Sequence, residues 1–159
     1  DPTSFTVNTA IPIPEVGERV PESQTRVSAD FELKAITTDP DPDPAFYETT
    51  VADAVSNGTP SLIVFATPAY CQTAVCGPTM EIVKEVVEAH PDLDVVHVEI
   101  FENVDSEGAG PLIEVDAVIE WGLPSEPWIY VVDADGVASA RFEGAVSPDE
   151  LGAALDELG

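Results

Sequence analysis

The sequence predicts an α/β fold: a central mixed sheet of about four strands flanked by helices, preceded by an extended, proline-rich N-terminal arm. Three observations predict it. From residue 46 to residue 159, short β-rich apolar runs alternate with helical patterns. The first two runs are joined by a helix, so they should lie parallel with a right-handed connection. The last two are joined by a tight turn at Asp135-Gly136, so they should form a hairpin.

Residues 1–45 read as the arm. They hold seven of the fifteen prolines, including Pro12, Pro14 and Pro21. The run Asp39-Pro40-Asp41-Pro42-Asp43-Pro44 disfavours both helix and central strand and reads as extended and semi-rigid. Phe5, Val7, Ile11, Ile13, Val16 and Val20 give this arm apolar points that could lie along the domain surface.

Within 46–159, Thr50 can cap a short helix from Val51 to Ser56, which Asn57-Gly58 ends. Ser61 to Ala66 is apolar and reads as a buried strand. Pro78 suits the first turn of a helix running to about Ala89. Its Met80, Val83, Val86 and Val87 should face inward, with Glu81, Lys84, Glu85 and Glu88 toward water. His90-Pro91 ends it. Asp94 to Phe101 is the second strand, rich in Val95, Val96, Val98 and Ile100. A third helix is expected over Leu112 to Glu120, and a strand over Trp128 to Val132. After the turn, Val137 to Phe142 should pair back. Ser147 caps the last helix with Pro148 in its first position and Glu150 three residues on; Leu151, Ala154, Leu155 and Leu158 form its buried stripe.

The charge balance excludes several functions. Five basic residues stand against 31 acidic ones, a net charge of −26. Nucleic acid needs a Lys/Arg footprint, and anionic membranes repel such a surface. No apolar run approaches the roughly 20 residues of a membrane span. The acids are spread along the chain, as on the salt-adapted surfaces of halophilic proteins. At molar salt the Debye length is about 3 Å, so their repulsion is screened, whereas low salt should destabilise the fold. A mesophilic acidic secreted protein is the alternative. The chain opens on Asp1 without methionine, which fits a removed targeting segment or a trimmed sequence. An extracytoplasmic, monomeric protein from a high-salt organism is expected.

Cys71 and Cys76 are the only cysteines, and they lie where the first strand gives way to a helix. A helix N-terminus offers free N–H groups and a positive dipole end, which favour a thiolate, the attacking species in thiol–disulfide exchange. The competing reading is a structural disulfide that closes a short loop.

The element order, with cysteines after the first core strand and a proline before the hairpin, resembles the thioredoxin superfamily over residues 46–159. Three stretches carry the resemblance. Cys76-Gly77-Pro78 reproduces most of the thioredoxin Cys-Gly-Pro-Cys motif, with Thr79 where its second cysteine would be. Trp121-Gly122-Leu123-Pro124-Ser125-Glu126-Pro127-Trp128 looks like the stretch that carries the cis-proline, with Pro127 at that position. Asp133-Ala134-Asp135-Gly136 followed by Arg141-Phe142-Glu143-Gly144 is similar to the hairpin of secreted thioredoxin-like reductases.

The resemblance implies a thiol–disulfide oxidoreductase that acts on protein thiols and disulfides, is served by a separate redox partner, and needs no cofactor or metal. In one register Cys71 matches the first thioredoxin cysteine, with Tyr70 in place of the preceding tryptophan. In the other Cys76 matches it. Gly77-Pro78 puts Cys76 at the helix start, so Cys76 is favoured as nucleophile and Cys71 as resolving thiol. Pro127 would face the cysteines, and the backbone at Glu126 would hold a substrate chain as an added strand. Tyr70 and Trp128 would add aromatic contacts. Two departures stand out: four residues separate the cysteines instead of two, and Val64 lies near where thioredoxins carry a buried acid.

Other readings compete. Thr73-Ala74-Val75-Cys76, with Pro68 upstream, is similar to the Thr-x-x-Cys of peroxiredoxins, but Arg141 is the one arginine after Arg26 to bind peroxide. A cysteine pair plus His90 or His97 resembles Sco-type copper chaperones. A non-enzymatic binding module would use Tyr70, Trp121 and Trp128 as a contact surface. Asp133 to Gly136 is no calcium loop, since Gly144 stands where the twelfth-position Glu belongs. Asn57-Gly58-Thr59 matches the short glycosylation pattern.

Overall fold

A computed structural model of the chain describes residues 12–105 and 110–159; the predicted apolar points Phe5, Val7 and Ile11 lie outside the described residues. Four strands form one sheet in the order β2-β1-β3-β4: β1 (Ser61–Ala66), β2 (Asp94–Glu99), β3 (Trp128–Val132) and β4 (Ala138–Glu143). β1 and β2 are parallel, with Ser61 opposite Asp94 and Ala66 opposite Glu99. β1 and β3 are antiparallel, as are β3 and β4. Every residue of β1 and β3 is buried, which is why both read as unbroken apolar runs.

Side chains alternate across the sheet and divide the core in two. Ile63 and Phe65 point to the layer that holds α2 (Val51–Ser56), α4 (Asp116–Glu120) and Trp121. Leu62, Val64 and Ala66 point to the layer of α3 (Cys76–Val87) and α5 (Pro148–Asp156). The caps form as their residue types dictate. Thr50 accepts a hydrogen bond from the Asp53 N–H at 3.0 Å. Ser147 and Glu150 make a reciprocal capping box on α5. Pro78 is the third residue of α3, where a helical N–H would lack an intrahelical acceptor. At the β3–β4 turn Gly136 has φ +79°, and a Cβ there would come within 2.6 Å of the Val55 carbonyl oxygen, so glycine alone fits.

The largest difference from expectation is the third helix, which covers Asp116–Glu120 alone. Residues 112–115 are extended instead. Glu114 bridges Phe101, the Glu102 N–H donates to the Ile113 carbonyl at 2.9 Å, and the Val115 N–H donates to the Ile100 carbonyl at 2.9 Å. Pro111 and the β-branched Ile113 and Val115 favour this conformation. The second strand's regular part correspondingly ends at Glu99, α3 ends at Val87, and β4 starts one residue late because Val137 bridges Arg19.

Residues 13–45 pack against the sheet and its helices and contribute to the core. Ile13 touches the core, while Val20 and Ile36 are buried in it, the latter at the end of a one-turn helix, α1 (Leu33–Ile36). The Gly17 N–H donates to the Ala138 carbonyl and the Ala138 N–H to the Glu18 carbonyl, at 2.8 and 2.9 Å. Ser23 contacts the Glu120 carboxylate and accepts from Trp121 Nε1 at 3.1 Å. Arg26 donates to the carbonyls of Phe101 and Glu102. The Asp-Pro run ends in a 3₁₀ turn over Pro44–Tyr47, capped by Asp43.

Candidate active site

β1 delivers the chain at Ala66 to a turn, and Cys71 follows five residues on. The loop 72–75 then returns to Cys76, the first residue of α3. The two cysteines are joined as a disulfide with their Cα atoms 6.0 Å apart. Their surroundings differ. Cys76 is 0% exposed among Met80 and Val83, whereas Cys71 is half-buried at the rim. Ala74 makes the reversal with φ +59°, a left-handed conformation unusual for a residue with a Cβ.

The loop rests on the segment before β3. Thr73 Oγ1 donates to the Glu126 carbonyl oxygen at 3.1 Å and lies 3.2 Å from Cys71 Sγ. The Gln72 N–H donates to the Glu126 carboxylate at 3.3 Å. The Glu126–Pro127 peptide bond is cis. Glu126, the residue before the cis bond to Pro127, therefore lies against the loop that joins the two cysteines. Tyr70 borders it and packs edge-on against Phe101 at 6.2 Å between ring centroids. Trp128 turns inward instead: it is 4% exposed, donates from Nε1 to Ser125 Oγ, and lies under the Arg141 guanidinium. Trp121 is wholly buried, so neither tryptophan offers a contact surface.

A buried polar network supports the site from below, on the α3 side of the sheet. His97 Nε2 lies 2.9 Å from the Ala66 carbonyl oxygen, which can only accept, so Nε2 carries the proton. Nδ1 then accepts from Tyr47 Oη, 2.7 Å away. Thr37 Oγ1 lies 3.0 Å from Tyr47 Oη and accepts from the Asp39 N–H; Asp39 in turn pairs with Lys84 at 2.8 Å. Burial lowers the His97 pKa below its ordinary value and raises that of Tyr47, so both stay neutral near pH 7. Beside them, the Glu99 carboxylate accepts from the Thr38 N–H and Oγ1–H, both at 2.8 Å, while Thr38 Oγ1 accepts from the Ala69 N–H. That amide lies two residues before Cys71.

Burying neutral His97 has a pH consequence. Its folded pKa lies below the unfolded value of 6.5, so below that pH the unfolded chain binds the extra proton. Stability is complete above pH 6.5 and falls on acidification, by at most about 1.4 kcal/mol per pH unit. Urea melts at pH 7.0, 6.0 and 5.0 should show this decline. His97→Gln should be less stable at pH 7 and flat over the same range.

The structure places the sequence-predicted cysteines in one disulfide and Glu126 against the loop between them; the network beneath was not anticipated. Glu99 carried a signal, an acid two residues from His97 on the same face of a strand that otherwise reads as valines after Asp94. The other readings fare differently against the geometry. Both His97 ring nitrogens are engaged, and His90 lies 3.6 Å from Asp156, so neither imidazole is directed at the cysteines. Arg141 donates to the Pro14 carbonyl at 2.8 Å and covers Trp128, away from Thr73.

No protein-family profile matches the chain, and no curated protein matches it by sequence. Solved structures do match by shape. A protein assigned as thiol:disulfide interchange protein DsbE from Chlorobium tepidum aligns with 92% of this chain and 99% of its own, at 13% identity and a TM-score of 0.64. A secreted Mycobacterium tuberculosis disulfide oxidoreductase homologous to E. coli DsbE aligns with 69% of this chain and 88% of its own, at 22% identity and a TM-score of 0.52. Thioredoxin O2 from Arabidopsis thaliana aligns with 67% and 81%, at 20% identity and 0.50. The fold is thioredoxin-like, as the element order led one to expect.

Proposed function

We propose that the chain is a thiol–disulfide oxidoreductase working through the Cys71–Cys76 pair on protein substrates. The observation that carries this reading is the asymmetry of the disulfide, one sulfur at the surface and its partner buried at a helix start. A disulfide serving exchange needs one reachable sulfur and one protected resolving sulfur. The exposure of Cys71 supports it as the attacking thiol and Cys76 as the resolving one, the reverse of the sequence-based expectation. The helix-end argument favours the reverse, but a buried thiolate cannot reach a folded or extended chain, so exposure takes precedence over the dipole.

In the reducing direction the Cys71 thiolate attacks a substrate disulfide, giving a mixed disulfide and releasing one substrate thiolate. Cys76 then attacks Cys71 and releases the second. The backbone at Glu126 and Pro127, with Tyr70 beside it, would hold the substrate as an extended strand. Residues 46–159 form the proposed exchange domain and residues 1–45 its arm. The similar structures named above include a secreted enzyme, which supports an extracytoplasmic site of action, and the charge supports a salt-rich one.

The test is the reduction potential of the pair, measured by equilibration with glutathione and thiol trapping. A value between about −120 and −270 mV is expected, the range of dedicated exchange proteins. A value below about −300 mV marks a structural bridge and replaces the proposal with the binding-module reading.

A further inference from the structure

Thr73 sits between two acceptors with one proton to give. A threonine hydroxyl donates once. Its oxygen is 3.1 Å from the Glu126 carbonyl oxygen and 3.2 Å from Cys71 Sγ. In the disulfide, Cys71 Sγ is neutral and a poor acceptor, so the carbonyl holds the proton. Reduction reverses the preference. When a dithiol reduces the bridge, two electrons break the S–S bond and the reductant closes into its own disulfide. Its two protons pass to the cysteine sulfurs, and Cys71 then releases its proton to water. The resulting thiolate is charged, and hydrogen bonds to charged acceptors are about twice as strong as neutral ones.

From this geometry we propose that the Thr73 hydroxyl is a redox-dependent latch. In the oxidised protein it ties the loop to the Glu126 carbonyl and occupies the backbone acceptor an incoming strand would use. In the reduced protein it turns to the Cys71 thiolate, stabilises it, and frees that acceptor. The Gln72 N–H bond to the Glu126 carboxylate closes the same loop over the same residue. Ala74, the residue after Thr73, is in the left-handed region where the loop turns back toward Cys76. The proposal rests on the oxidoreductase reading for its purpose. It assigns Thr73 a part that resemblance to thioredoxins did not, since the peroxiredoxin-like pattern paired Thr73 with Cys76.

Thr73→Val and Thr73→Ser test it, and the exposure of position 73 keeps either change from threatening the fold. The first readout is the pH midpoint of Cys71 alkylation by iodoacetamide in the reduced protein, followed by mass. Thr73→Val should raise the midpoint and leave about threefold less thiolate at neutral pH, with Thr73→Ser restoring it. The second is the rate at which the oxidised protein is reduced by a short unstructured peptide dithiol, divided by the rate with dithiothreitol. Thr73→Val should raise this ratio about threefold, because a small thiol needs no backbone acceptor. An unchanged midpoint or an unchanged ratio overturns the latch. A bridge whose potential proves structural can still show the alkylation shift, so the latch and the oxidoreductase reading fail separately.

Discussion

Cys71→Ser is expected to lower disulfide exchange with a protein substrate by at least about a thousandfold, since it removes the attacking atom itself. Cys76→Ala should behave differently. Its Cys71 can still open a substrate disulfide, but nothing resolves the product, so a covalent complex accumulates and is visible on a non-reducing gel. Alanine is the better choice here, because position 76 is wholly enclosed by apolar groups and a serine hydroxyl would be buried without a partner. In the reduced wild-type protein, iodoacetamide should label Cys71 well before Cys76. Trapping by Cys71→Ser instead of Cys76→Ala would exchange the two roles and restore the helix-end assignment.

The second large effect is expected from salt. The chain carries a net charge of −26 with five basic residues. Among the described residues, three of these make carboxylate pairs: Arg19 with Glu22, Lys34 with Glu32, and Lys84 with Asp39 and Glu81. The acids thus far outnumber the cations available to pair with them. Two unit charges 10 Å apart in water repel by about 0.4 kcal/mol, and many such pairs act together in the compact state. Raising KCl from 0.1 to 3 M should add about 3 kcal/mol of stability, or roughly 10 °C in melting temperature. KCl is preferable to sulfate, which stabilises most proteins by exclusion from their surface. A melting temperature that does not move would dismiss salt adaptation and leave the mesophilic acidic reading.

Both effects trace to features visible in the sequence, and so does most of the sheet. β1 and β3 were clear because a strand buried on both faces must be apolar throughout, and their bounds came out as read. The helices at Val51 and Pro148 were clear because their caps are local chemistry. The stretch 112–115 was misread because the local β preference of Ile113 and Val115 was outweighed by the apolar spacing that continues into Asp116–Glu120. Its conformation is set by a partner at Ile100 to Glu102, outside any sequence window. The site divides the same way. The cysteines and Glu126-Pro127 belong to contiguous motifs, whereas burial of Cys76 over Cys71 follows from packing. The Glu99–Thr38–Ala69 connection joins three distant parts of the chain, and no spacing rule could find it.

The arm's contacts also bear on the order in which the molecule comes together. Pro14 receives hydrogen bonds from Arg141, 127 residues away, and from Tyr130. Gly17 and Val20 bond Ala138, the first residue of β4, and Gly136 before it, while Arg26 bonds Phe101 and Glu102 just past the end of β2 and Thr38 bonds the Glu99 carboxylate at that end. These are closures of very long loops, which cost chain entropy and come late. β2 and β4 are the two outermost strands, and bare outer strands recruit other chains. Loss of these contacts should therefore leave the outer strands more open to association with other chains.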